Sequence, residues 1–235
     1  MLLDLISPEQ ESLVEGRKIL DGIITVNEII HSLKSSCYPG MLLKLDLSKA
    51  FDKLSWTFME CMLLAFRFDR SWVRWIINLT SSTFYSILVN GMSSQPFKAS
   101  RGIRQGDPLS PFLFILMMEG LGRSLTAAKD TNKIRGIQLH SGTNAHTHQQ
   151  FVDDTMLMGY ALVHEALMIR SSLDIFLEAS GMEVNEDKSQ IFFFNTPQIN
   201  RRNILRILRF QEGSFPKKYL GAPLLESQIK QISWQ

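Results

Sequence analysis

Asp153 and Asp154 stand side by side between the apolar segments Phe151-Val152 and Met156-Leu157-Met158. Apolar residues flanking a charged pair read as two short strands meeting at a hairpin tip. Adjacent carboxylates repel each other, and a divalent cation bound through hard oxygen ligands relieves that repulsion. An ordinary acidic turn uses the same residues, and the pair alone does not separate the two readings. A third aspartate, Asp46, ends another strand-like apolar run at 41–45. Three carboxylates on neighbouring strand ends make a donor set for two magnesium ions.

At 235 residues and 45% hydrophobic content, the chain buries a core as one large domain or two closely packed subdomains. The apolar stretch 111–118 is too short to span a bilayer and is interrupted by Glu119. No membrane anchor is expected. Asp4, Glu9, Glu11 and Glu15 take the place of a basic leader region, so an intracellular protein is expected. Cys37 and Cys61 lack metal-ligand spacing, which argues against a zinc site or a disulfide framework and leaves packing residues or free thiols. The net charge of +2 is small, but its distribution is uneven. Six Lys or Arg stand against one acid between 61 and 104, and again between 195 and 218. Each tract suits either a phosphate backbone or a solvated helix face.

Ser7-Pro8-Glu9 reads as a helix start, with Ser as cap and acids toward the positive end of the dipole. The spacing of Ile23, Val26, Ile29, Ile30 and Leu33 predicts a helix over 21–34, and Pro39-Gly40 breaks the chain before the strand that delivers Asp46. Helices are expected over 47–66 and 72–80. A hairpin follows, from 85–89 through Asn90-Gly91 to 96–98. The loop 101–111 combines Arg101, Gly102, Arg104, Gln105, Gly106, Asp107, Pro108 and Pro111 immediately before a long apolar helix over 112–128. A glycine-rich loop feeding a helix N-terminus suits phosphates or sugar hydroxyls, or serves as a sharp connector; the lysine and spacing of a Walker loop are lacking. His146 and His148, in the polar stretch 140–148, read as a surface loop. Beyond the Asp-Asp hairpin come a helix over 163–180 capped by Gly181, two short strands over 182–185 and 189–194, and an arginine-rich helix over 198–210.

Five segments in order carry a resemblance: Leu45-Asp46-Leu47-Ser48-Lys49-Ala50-Phe51-Asp52, the loop 101–111, Phe151-Val152-Asp153-Asp154, residues 181–189, and Tyr219-Leu220-Gly221. Together they resemble the ordered motifs of reverse transcriptases, those of non-LTR (LINE-type) retrotransposons of plant type above all. The resemblance implies an α+β right-hand polymerase palm, an antiparallel sheet backed by helices. Partial fingers are expected at 1–40 and 61–100, the palm at 41–60 and 101–197, and a basic helix with a primer-grip-like segment at 198–235. It implies RNA-directed DNA polymerase activity using an RNA template, a DNA primer and deoxynucleoside triphosphates. Asp46, Asp153 and Asp154 match the metal-binding carboxylates for two Mg2+ ions, with Mn2+ an alternative. Phe51 matches the aromatic beneath the incoming sugar, whose bulk opposes a ribose 2′-hydroxyl. Gln105, flanked by Arg104 and Gly106, matches the nucleotide-contacting segment. Lys188 matches the lysine that protonates the leaving pyrophosphate, and Tyr219, Leu220 and Gly221 match the primer grip. A nuclear location is expected by family analogy.

Val152 replaces the alanine usual in LINE-type enzymes. Against the family pattern the chain begins after the basic fingers strand, whose role Arg17 or Lys18 is not expected to fill, and stops shortly after the primer grip, so the thumb is expected to be missing. Three readings follow: a polymerase domain, a catalytically silent retrotransposon relic that keeps the palm fold and at most weak nucleic-acid binding, and a two-metal nuclease. The last leaves Phe51, Gln105 and the primer grip without purpose.

Overall fold

A computed structural model describes residues 2–139, 142–215 and 217–224. The first half runs α1 (Leu2–Leu5), α2 (Ile19–Ser35), β1 (Gly40–Leu45), α3 (Ala50–Lys53), α4 (Trp56–Ala65) and α5 (Arg70–Ser81). Four two-residue strands follow, β2 (Phe84–Tyr85), β3 (Leu88–Val89), β4 (Met92–Ser93) and β5 (Phe97–Lys98), and then α6 (Ser110–Asp130). The remainder is β6 (His148–Phe151), β7 (Asp154–Tyr160), α7 (Val163–Ser180), β8 (Gln190–Phe194), α8 (Gln198–Leu208), β9 (Gln211–Glu212), β10 (Lys217–Tyr219) and β11 (Ala222–Leu224).

The main sheet has the order β6-β7-β1-β8-β9, antiparallel except for the last pair. β1 is buried because its Gly-Met-Leu-Leu-Lys-Leu sequence offers apolar side chains to both faces. Met41, Leu43 and Leu45 enter the larger core with α4, α6 and α7. Leu42 turns the other way, into a smaller core with Val26, Ile29 and Ile30 of α2 and with Tyr219 and Leu224 of the β10-β11 hairpin. Helix α6 is buried continuously from Leu113 to Glu119, which is why its apolar residues run round the helix instead of along one stripe. Among the described residues no helix is long and apolar enough to cross a membrane.

Several local expectations are corrected. Ser7 caps no helix: its amide and hydroxyl both donate to the buried Glu119 carboxylate, at 3.0 and 2.8 Å, and α2 begins only at Ile19. The helix expected over 47–66 breaks at Leu54-Ser55, where the Ser55 amide donates to the Ser180 carbonyl and the Ser55 hydroxyl caps α4 through Phe58. The single hairpin over 85–98 is two ladders, with β3 and β4 flanking Asn90-Gly91 and β2 pairing β5. Residues 182–185 form no strand, only a bridge from Val184 to Leu47. His148 lies buried in β6 and His146 bridges to Ile137, so neither belongs to a surface loop; His140 lies outside the described residues. Cys37 and Cys61 are exposed free thiols.

Candidate functional site

Asp46 is the first residue past β1, and its backbone is fixed from the far side of the sequence. Its amide donates to the Ser189 hydroxyl at 3.0 Å, and its carbonyl accepts from the Asn185 amide at 2.8 Å. The Ser48 amide donates to the Glu183 carbonyl at 2.7 Å, and Lys53 pairs with the Glu183 carboxylate. The loop 183–189 thus sutures the strand end that carries Asp46. Lys188 rides on this loop as an exposed side chain, its amide donating to the Asn185 side chain at 3.3 Å.

The register of β1 against β7 pairs Leu45 with Thr155, and one further step places Asp46 opposite Asp154. Directly opposed residues share a face of an antiparallel pair. By alternation that face also carries Leu42, Lys44, Met156 and Met158, the side covered by α2 and the β10-β11 hairpin. Phe151 pairs with Asp154, leaving Val152 and Asp153 as a two-residue connection. Val152 has a φ of 55° and Asp153 a negative one, the sign pattern of a type II′ turn. A β-branched residue at positive φ is strained by roughly 1–3 kcal/mol. Asp153 is exposed at the tip, while Asp46 and Asp154 are half-buried.

Burial pushes the Asp154 carboxyl above its ordinary range, the Lys44 ammonium pulls it back, and the charges of Asp153 and Asp46 push it further up. The Asp154 carboxyl therefore feels the charges of both other carboxylates. Their side chains do not close into a chelate: among the described residues no group of three or more His, Cys, Asp or Glu is placed to hold a metal ion. The donor chemistry still fits a divalent cation, since hard oxygens crowded by like charge are what such an ion neutralises. The Lys44 ammonium reaches the Lys218 carbonyl at 3.4 Å, linking this face to β10.

The loop 101–111 is pinned to the segment after Asp46. Gly102 donates its amide to Leu54 at 2.8 Å and accepts the Trp56 indole at 2.7 Å, and the Ile103 amide donates to Phe51 at 2.8 Å. Gly102 has a φ of 92°, and a Cβ there would stand 2.7 Å from the Asp52 carbonyl oxygen. Only glycine permits this approach. Phe51 is half-buried and stacks on Phe114, with ring centroids 4.5 Å apart and planes at 8°. Arg104, Gln105 and Gly106 are exposed, with the Arg104 Nε 2.8 Å from the Thr83 hydroxyl. Asp107 turns the chain into α6 by accepting from the Leu109 amide at 2.8 Å.

Leu220 and Gly221, both at positive φ, form the turn between β10 and β11. The Tyr219 ring is buried in the smaller core, and burial, followed by the charges of Asp154 and Glu11, pushes its hydroxyl above the ordinary range. This turn can therefore offer a ligand its backbone and Leu220, but not the Tyr219 ring. Arg17 is no substitute for a triphosphate-binding residue, because its guanidinium donates to the carbonyls of Ile6, Ser7 and Gln10. Of the arginines in the basic tract 195–218, Arg201 is committed to Glu212 at 2.9 Å and to the Thr196 carbonyl.

Sequence reasoning missed Gln10, Lys44, Asn185 and Ser189, which support the carboxylates. The visible signal for Lys44 was a charged residue inside a buried strand pattern; for Gln10 there was none.

The reverse transcriptase (RNA-dependent DNA polymerase) family model matches residues 1–224. The chain is 34% identical over 187 residues to the retrovirus-related Pol polyprotein from type-2 retrotransposable element R2DM of Drosophila melanogaster, covering 77% of this chain and 16% of that protein. It is 25% identical to the transposon TX1 uncharacterized 149 kDa protein of Xenopus laevis, covering 80% of this chain and 14% of that protein. This chain thus spans about a sixth of those relatives' length. Among solved structures, telomerase from Candida albicans in complex with a fragment of telomeric RNA superposes with a TM-score of 0.56 at 14% identity, covering 82% of this chain and 32% of that one. Apo telomerase from Candida tropicalis gives 0.53 at 13% identity, covering 80% and 37%. The fold is the palm expected from the motifs.

Proposed function

This chain belongs to the reverse transcriptase (RNA-dependent DNA polymerase) family, and we propose that it carries the nucleotidyl-transfer centre of a retrotransposon polymerase, extending a DNA primer with deoxynucleotides along an RNA template. The observation that supports this most is the convergence of Asp46 and Asp154 in register beside the strained tip that bears Asp153. Asp46, Asp153 and Asp154 would hold the divalent ions of the family, magnesium or manganese. Two such ions, when bound, supply activation of the primer 3′-hydroxyl and neutralisation of charge on the transferring and leaving phosphate oxygens.

The remaining roles belong to the chain itself. Phe51, braced by its stack on Phe114, opposes a ribose 2′-hydroxyl through its bulk. Arg104, Gln105 and Gly106 contact the incoming nucleotide from a loop whose root is tied to the same segment as Phe51. Lys188 donates a proton to the leaving pyrophosphate. The β10-β11 turn at Leu220-Gly221 supports the primer, and an RNA template is the substrate class that the RNA-dependent DNA polymerase family supports. Residues 41–60 and 101–197 form the palm in this reading, with 1–40 and 61–100 contributing to the fingers.

The test is extension of a labelled DNA primer annealed to RNA, with deoxynucleotides and magnesium, before and after chelation by EDTA. Extension that stops on chelation and returns with magnesium is expected. Extension indifferent to chelation would overturn the role given to the carboxylates.

A further inference from the structure

The tip of the Asp153-Asp154 hairpin is held from outside its own sheet strands. Residues 9–11 run alongside β6 as an added parallel edge: the Gln150 amide donates to the Glu9 carbonyl at 2.8 Å, and the Glu11 amide donates to the Gln150 carbonyl at 3.1 Å. This pairing turns the Gln10 side chain toward the hairpin tip. Gln10 is fully buried, and its Oε1 accepts from the Val152 amide at 3.2 Å and from the Ser12 amide at 3.1 Å. Val152 is the residue at positive φ, so the peptide group that this acceptor holds is the strained one.

The clamp is itself clamped. The Arg17 guanidinium binds the Gln10 carbonyl together with those of Ile6 and Ser7, and the Glu119 carboxylate accepts from the Ser7 amide and hydroxyl. The Gln10 Nε2 finds no partner among the described residues, so the side chain works here through its acceptor oxygen alone. A buried carboxamide whose hydrogen bonds among the described residues fix two backbone amides, one of them that of Val152 between Phe151 and Asp153, is placed to set the tip rather than to fill space.

We infer that Gln10 is a positioning residue for the nucleotidyl-transfer centre, its side-chain oxygen holding the Val152 amide so that Asp153 and Asp154 are presented in one fixed geometry. The inference rests on the polymerase reading for its catalytic consequence but not for the anchoring itself. Outer-shell partners of metal-binding groups commonly change affinity or activity by about 10–100-fold when removed.

Three variants separate anchoring from general packing. Gln10→Met keeps the length and loses the acceptor. Gln10→Asn keeps an amide but stops one methylene short, and serves as the acceptor-loss variant if the methionine chain does not fold. Gln10→Glu keeps the acceptor and exchanges the unpartnered amide nitrogen for a second oxygen, in a carboxyl that burial favours in its protonated, neutral form. Hydrogen exchange of the peptide covering 150–155, read by mass spectrometry on the full chain, should accelerate about tenfold or more in Gln10→Met and Gln10→Asn and stay near the parent in Gln10→Glu. In primer extension, kcat should fall about 10–100-fold in the first two, with the KM for deoxynucleotide little changed, and Gln10→Glu should recover most of the rate. Unchanged exchange in the acceptor-loss variants would overturn the anchoring, and lost protection with undiminished kcat would overturn the positioning role. If the parent chain itself does not extend, the polymerase reading fails separately, and the exchange comparison still decides whether Gln10 holds the tip.

Discussion

Replacing Gly102 by alanine should cost far more than the same change at Gly106, although both residues lie at positive φ, 92° and 85°. An L-residue there pays about 1–2 kcal/mol at either position from the clash of its Cβ with the backbone. At Gly106 that is the whole effect, since a Cβ meets nothing within 4 Å. At Gly102 the Cβ falls 2.7 Å from the Asp52 carbonyl oxygen, and a backbone atom cannot swing aside as a flexible side chain would. The loop must retreat, which loosens the Gly102 amide bond to Leu54 and the Trp56 indole bond to Gly102. Each is worth about 1 kcal/mol. The total at Gly102 is therefore about 3–4 kcal/mol, a fall in Tm of roughly 10 °C for a domain of this size against roughly 4 °C for Gly106→Ala. Thermal unfolding followed by circular dichroism on the parent and both variants reads the difference. Equal losses at the two positions would show that the approach of Gly102 to Asp52 does not anchor the loop.

Burial pushes the Glu11 carboxyl up to about 7, from an ordinary value of 4.5. Its folded form holds a proton more tightly than its unfolded form, so it contributes stability below pH 4.5 that is lost as pH rises toward 7. His148 runs the other way: burial pushes its imidazole down to about 4, so its contribution is complete above pH 6.5 and is lost as pH falls toward 4. The two slopes oppose each other between about pH 4.5 and 6.5, and Glu11→Gln should unmask the histidine loss while raising Tm above pH 7; a variant profile parallel to the parent's would contradict this. Phe51→Ala should relax discrimination against ribonucleotides in single-nucleotide incorporation and also lower Tm, because the ring stacks on Phe114. Phe51→Tyr should keep both properties, and sugar selectivity unchanged in the alanine variant would count against the gate.

The parts of the site legible in the sequence are those whose signal is local. Asp153 and Asp154 announce a hairpin because two charges interrupt an apolar alternation, and Asp46 announces a strand end because five residues before it suit a buried strand. Helix α7 followed its apolar spacing to the Gly181 cap. Ser7-Pro8-Glu9 carried an equally good local signal and misled, because the Ser7 donors have a stronger sink in Glu119, 112 residues away. The run 182–185 has strand composition, yet its backbone bonds go to the segment holding Asp46 and not to a ladder. Gln10 was invisible for the same reason: its partner Val152 lies 142 residues along the chain, and nothing in the local sequence separates a buried acceptor from a solvated one. Tertiary contacts of this range decide where a short polar segment settles, and they are absent from any window of sequence.

The most direct test of the account is extension of a DNA primer on an RNA template by the parent chain and by Asp153→Asn, with both shown to be folded by circular dichroism. Extension by the parent with loss of about a hundred- to a thousandfold in the variant is expected, since removing a principal charge-stabilising group costs on that order. Equal extension by both would contradict the assignment of Asp153, and no extension by either folded protein would contradict the polymerase reading of this chain.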